Sequence, residues 1–170
     1  RAPLLADFRV RVLDGNHLAA TERRLLPLAQ VAAGPLPGFS LVAFDPAAML
    51  MTHVVPCEDG HAQERSWTAQ LLALVEPGDC WIADRNFCTR AILFGMIDAH
   101  AHPLMRQHGG LVGDAVGERV ACGRVATGAV FEQAYEVTFE GSTKTLRRVT
   151  LELDEPTRDG ERVLHLLTSL

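Results

Sequence analysis

Lysine is nearly missing from this chain. Of its 16 basic residues, Lys144 alone is a lysine. The skew fits a coding bias toward arginine and alanine, as in a bacterial gene rich in G and C, and says nothing of fold. Long apolar runs are missing too. None approaches the roughly 20 residues a membrane helix needs, so no membrane partner is expected. The opening residues, RAPLLADFRV, lack the apolar core and small-residue cleavage site of a secretory signal, and a cytoplasmic location is expected. The four cysteines, Cys57, Cys80, Cys88 and Cys122, include no CxxC pair. That spacing excludes a common zinc finger or thioredoxin motif, and in the cytosol all four are expected as reduced thiols. Positive charge is also short. The net charge of −5 argues against a free-standing nucleic-acid-binding module. It argues less against a catalytic core, whose metal site must itself be acidic.

What is present is an ordinary globular composition: 170 residues, 48% hydrophobic and 22% charged. That suffices for one domain with a sizeable core, with room for a second small lobe. Phe8, Val10 and Val12 alternate with Arg9 and Arg11, which predicts a strand ending at Asp14-Gly15-Asn16. Thr21 to Leu26 allows a helical turn, and Pro27 to Gly38 reads as a loop. Phe39–Phe44, closed by Asp45-Pro46, and Met49–Val55, closed by Pro56, predict two more strands and an antiparallel meander. Trp67, Leu71, Leu74 and Val75 lie at helical spacing before the stop at Pro77-Gly78. Cys80–Ala83 predicts a fourth strand, Thr89–Ala99 a second helix, and Pro103–Arg106 a fifth strand.

After Gly109-Gly110 the texture changes. Tyr135, Val137 and Phe139 alternate with Glu136, Thr138 and Glu140, Gly141-Ser142 turns the chain, and Val149, Leu151 and Leu153 repeat the pattern. Thr157–Gly160 predicts another turn and Val163–Leu167 a last strand. This order predicts an α/β fold: a ribonuclease-H-like mixed sheet flanked by helices, with an antiparallel β insertion. The expected divisions are a core over 1–110, a β-rich insertion over 111–157 and a return strand over 158–170. Another three-layer α/β fold with a decorated edge is the alternative.

Asp14 and Asp84 each follow an apolar strand. Strand ends that lie side by side bring such carboxylates together, and two close carboxylates call for a divalent cation with a preference for oxygen ligands. A shared metal site needs them within about 4–8 Å. Two ions held there would activate water and stabilise the leaving oxygen of a phosphodiester. The competing reading is turn chemistry, since Asp-Gly and Asp-Arg-Asn commonly close strands.

In combination these blocks resemble a known family. LDGNHLAATERRL resembles the first catalytic block of bacterial insertion-sequence transposases of the DDE class, and WIADRNFCTR resembles their second. PLMRQHGG resembles the strand that follows. The run Thr145–Val149 and then RDGERVLHLLTSL resemble the close of the β insertion and the return strand. The resemblance implies a ribonuclease-H-like fold, two Mg²⁺ or Mn²⁺ ions, and metal-dependent DNA strand cleavage and transfer. Asp14 and Asp84 become the first two metal-binding, catalytic carboxylates. The family's third, a Glu on a helix after the return strand, finds no match before Leu170. Its N-terminal DNA-binding region finds none either. A truncated core is therefore expected, with transposon-end and target DNA as partners of the full-length protein, a possible homodimer, and an inactive fragment. The alternative is a non-enzymatic remnant that only binds or supports.

Arg85 and Arg106 are candidates for DNA phosphate contact, or for pairing with a carboxylate. His53, Cys57 and His61 have a spacing that zinc tolerates, across a strand end and a loop. His100 and His102 read as a surface turn, Glu64 as a helix start and Asn86 as a turn or cap. The Tyr135 stripe reads as the inner face of a sheet.

Overall fold

The computed structural model describes residues 5, 7–17, 39–57 and 67–170. The expected helical turn and loop over 21–38, together with His61 and Glu64, lie outside them. Nine strands and two helices follow in order: β1 (Arg9–His17), β2 (Phe39–Asp45), β3 (Leu50–Cys57), α1 (Thr68–Leu72), β4 (Asp79–Ala83), α2 (Arg90–Asp98), β5 (His102–Arg106), β6 (Asp114–Val125), β7 (Gly128–Phe139), β8 (Ser142–Leu153) and β9 (Val163–Thr168). All nine strands join one sheet, in the order β3-β2-β1-β4-β5-β9-β8-β7-β6. β1, β4 and β5 run parallel, and every other neighbouring pair is antiparallel.

β4 sits between two parallel neighbours, and after Asp79, which pairs with Arg9, its residues Cys80–Ala83 are apolar on both faces, as that position requires. Cys80 and Trp81 are fully enclosed. One face of the sheet carries Leu13, Leu41, Ala43, Trp81, Met105, Leu167, Leu146 and Val137, and both helices pack on it through Leu71, Ile92, Leu93 and Met96. The helices approach closely because Gly95 has no side chain. A Cβ there would meet Leu72 Cδ1 at 2.5 Å. Thr89 caps α2, its hydroxyl accepting from the Ile92 N–H at 3.3 Å.

The expected ribonuclease-H-like sheet flanked by helices is not what this chain forms. The protein is mostly sheet. β6, β7 and β8 run for 12 residues each, whereas the helices among the described residues have 5 and 9. Both helices lie on the same face. The β-rich segment belongs to the same sheet. β9 pairs with β5 along one edge and with β8 along the other, so the ladder runs unbroken from β3 to β6. The apolar run Val163–Leu167 supports this by serving an interior strand with neighbours on both sides.

Two expected strand ends also move. Asp14-Gly15-Asn16 does not terminate β1, because β2 continues the ladder through Asp14↔Val42 to His17↔Phe39. Pro56 lies inside β3, opposite Ser40. β3 is an edge strand, where a missing N–H is tolerated. Elsewhere local chemistry closes the turns as its residues suggest. Asp45 accepts from the N–H groups of Ala47 and Ala48, each at 2.9 Å, and pairs with Arg11. The Ala48 bond foremost, with Arg11 and Ala47 adding, holds its carboxyl below the ordinary range. Glu140 and Gly141 both have positive φ, 49° and 79°, and make the two-residue hairpin between β7 and β8.

Candidate functional site

The sheet reverses its order at β1. The chain continues into β2 on one side, while β4 arrives on the other. The parallel register of β1 and β4 runs to Val12↔Ile82. The β4–β5 register runs to Ala83↔Met105. Asp14 lies within β1, Asp84 follows the last residue of β4 and Arg106 ends β5, on three neighbouring strands of the sheet.

Both aspartates are exposed. The Oδ1 of Asp14 accepts from the N–H of Gly15 at 2.8 Å. The Oδ1 of Asp84 accepts from the N–H of Asn86, also at 2.8 Å, and this bond shapes the turn after β4. Among the described residues, Oδ2 of each has no hydrogen-bond partner. Local bonds thus hold each side chain by one oxygen. Asn86 contributes its backbone to this turn, and the Arg85 carbonyl accepts from the Cys88 N–H at 3.2 Å.

Two hard oxygen donors suit Mg²⁺ or Mn²⁺. No group of three or more His, Cys, Asp or Glu among the described residues is placed to hold a metal ion.

Arg85 and Arg106, the two candidate phosphate contacts, meet at one carboxylate. Glu161, in the β8–β9 connection, places Oε1 3.4 Å from Arg85 Nη1 and pairs through Oε2 with Arg106 Nη2. All three side chains are partly exposed, at 49%, 32% and 35% for Arg85, Arg106 and Glu161. Glu161 is fixed by its own turn. Its N–H donates to Thr157 Oγ1 at 3.1 Å, and its carbonyl accepts from the Thr157 N–H at 2.8 Å. Sequence reasoning missed Glu161. The hint was Arg-Asp-Gly-Glu, a charged turn beside the last strand, but nothing local says which cation it meets.

The remaining candidates separate. His53 is exposed on β3, with Nδ1 3.2 Å from its neighbour Thr52 Oγ1. The side chain of Cys57 lies outside the described part. His100 is exposed with φ 58° just after α2, and His102 faces Phe8 and Ser169. Tyr135 is buried, receives a hydrogen bond from Gln107 at 3.1 Å, and lies under the Arg148 guanidinium at 4.5 Å. Burial pushes the Cys88 thiol up to about 11, which removes it as a nucleophile near neutral pH. A cleft on the β6–β8 arm contains Glu118, Glu132 and Arg147, but Arg147 Nε already bonds Glu132 at 2.7 Å.

No family model matches the chain, and no curated protein matches it. No helix among the described residues is long and apolar enough to cross a membrane.

Proposed function

We propose that Asp14 and Asp84 belong to a divalent-metal centre for DNA strand cleavage and transfer, as the resemblance of their sequence blocks to DDE-class transposases implies. The observation that supports this reading is the parallel β1–β4 pairing, whose last pair, Val12 with Ile82, precedes each exposed aspartate by two residues. One oxygen of each aspartate accepts from a backbone N–H, which fixes the carboxylate's orientation. The strands beneath are rigid mounts, because β4 is buried among β1, β5 and the helical layer. Arg85 and Arg106 border Asp84 and supply guanidinium groups suited to a phosphodiester backbone. When bound, Mg²⁺ or Mn²⁺ would activate water and stabilise the leaving oxygen. A cytoplasmic location belongs to the same reading.

The test compares the 170-residue chain with the product of the full open reading frame. Supercoiled plasmid is incubated with Mn²⁺ and each protein. The full product is expected to nick, and the two-carboxylate chain is expected not to. Asp14→Asn and Asp84→Asn are each expected to lower nicking by the full product at least about 100-fold, on the scale of lost metal-centred charge stabilisation. Full-length activity untouched by either substitution overturns the assignment.

A further inference from the structure

Glu161 has an unusual position for a surface carboxylate. It divides its two oxygens between two arginines from different strands, Arg85 after β4 and Arg106 at the end of β5. The arginines therefore converge on a single oxyanion, as they would on a phosphate. The carboxylate is delivered by a turn with its own internal bonds: the Gly160 N–H donates to the Thr157 carbonyl at 2.9 Å, alongside the two bonds between Thr157 and Glu161. Gly160 has φ +82°, a conformation that glycine adopts without strain. Arg158 and Arg162 flank Glu161 on this turn and are exposed. The structure contains no apolar anchor in the turn comparable with the core of β4. Residues 154–160 are exposed except for the half-buried Thr157.

We propose that Arg85 and Arg106 form a phosphate clamp which Glu161 occupies as an internal stand-in, so that a phosphate group displaces the carboxylate as it binds. The ligand class is a tetrahedral phosphate oxyanion, either on a nucleic-acid backbone or free in solution. Displacement transfers both guanidinium groups from one anion to another and releases Glu161 to water. Arg158 and Arg162 then add positive charge beside the incoming phosphate. The device lowers affinity for any phosphate that fails to engage both arginines, because a single contact does not compensate for the loss of Glu161. The clamp rests on the nucleic-acid reading above only for the preferred source of its phosphate.

The experiment measures binding without metal, so it stands apart from the fate of the aspartate centre. A short fluorescent DNA duplex is titrated with the 170-residue chain in EDTA at low salt, read by anisotropy, and inorganic phosphate is titrated separately. Glu161→Gln is expected to tighten duplex binding roughly threefold to tenfold and to steepen the salt dependence by about one to two units of log–log slope. Asp159→Asn removes an equal charge from the same turn without touching the clamp, and should change affinity less than about twofold. Adding Arg106→Gln to Glu161→Gln should cancel the gain. Tightening for the duplex assigns the clamp to a nucleic-acid backbone, and tightening for inorganic phosphate alone assigns it to free phosphate. Equal gains from Asp159→Asn and Glu161→Gln, or a gain that survives Arg106→Gln, overturn the proposal. The unmutated chain provides a second reading. The side-chain N–H resonances of Arg85 and Arg106 must move on ligand addition while that of Arg9, paired with Glu76 and Asp79, stays in place. Movement of neither clamp arginine at saturation also overturns it.

Discussion

β4 and β6 belong to the same sheet and share almost nothing else. β4 opens with three buried residues, and all 12 residues of β6 are exposed. β4 has parallel neighbours on both edges and helices above it. Among the described residues β6 pairs on one edge only, with β7, and its register is irregular on either side of Val120-Ala121. Gly117 and Gly123, with φ +72° and +106°, bend it there. Such bulges spoil an edge as a template for further strands. The two ends of the sheet therefore differ in what holds them. The centre, with Tyr135, Val137 and Leu146 of β7 and β8, depends on apolar burial, and the outer strand β6 depends on its backbone ladder and on paired charges such as Arg119–Glu152 and Arg124–Asp154. Exposed pairs of this kind contribute little individually, about 0–1 kcal/mol. The candidate site sits on the better-held part.

The largest expected effect tests that contrast directly. Trp81 is fully enclosed at the junction of β1, β4, β5 and the helices. Trp81→Ala should cost about 3–5 kcal/mol, the range for emptying a buried aromatic site. Val120→Ala on β6, where the side chain is 53% exposed, should stay within about 0.5 kcal/mol. Urea denaturation followed by far-UV circular dichroism measures both. Similar losses from the two would show that the arm carries core stability after all.

A smaller effect separates backbone closeness from exposure within the arm. Gly128 begins β7 opposite Leu153, and a Cβ there would meet the Glu152 carbonyl oxygen at 2.0 Å. That atom belongs to the backbone of β8, so a methyl group cannot be accommodated by a side-chain rotation. Gly128→Ala should cost about 1–3 kcal/mol, as forced strand separation does. Gly117→Ala meets nothing within 4 Å and carries only the penalty of its positive φ, about 1 kcal/mol. The same denaturation series ranks them, and an equal or reversed order would mean that β7 and β8 separate easily at that end.

This difference between regions also explains what could be read before the fold was known. β7 alternates, and the period of Tyr135–Phe139 set this strand and the turn at Gly141, whereas β6 has no such period. α2 and β4 were legible because their apolar residues fall at the right spacing and Pro77-Gly78 punctuates them. Asp14-Gly15-Asn16 misled because turn chemistry is a local preference, and β2 outcompeted it with a continuing ladder. The single sheet was hidden for a related reason. Alternation describes a strand's two faces and not its neighbours, so Val163–Leu167 was readable as a strand returning to the sheet but not as the one that carries the sheet on to β8. At the site, the residues beside the strands were visible as chemistry, but Glu161 was not. Its meaning comes from a contact with residues far away in sequence, and a lone carboxylate in a turn carries no mark of its partner.

The smallest expected effect lies at the seam between centre and arm. His165 on β9 faces Thr150 on β8, with Nδ1 2.9 Å from the hydroxyl oxygen. Burial lowers its pKa foremost, and the positive charges of Arg148 and Arg119 lower it further. The unfolded chain therefore takes up a proton more readily than the folded one. Stability from the neutral imidazole is fully present above the unfolded pKa of about 6.5 and is lost as pH falls through the lower folded pKa. His165→Gln keeps a polar side chain and removes this titration. Between about pH 7.5 and pH 5 the native chain should lose more stability than the variant, and the gap should open below about pH 6.5. Carboxylates elsewhere titrate in both proteins, so the difference between their denaturation midpoints isolates the imidazole. Parallel curves across that range would mean that the charged ring is tolerated at the seam, and that the two arginines do not act on it. A gap that widens would place a proton-sensitive contact where the arm joins the centre, and would sharpen the boundary between the two regions to the β8–β9 ladder.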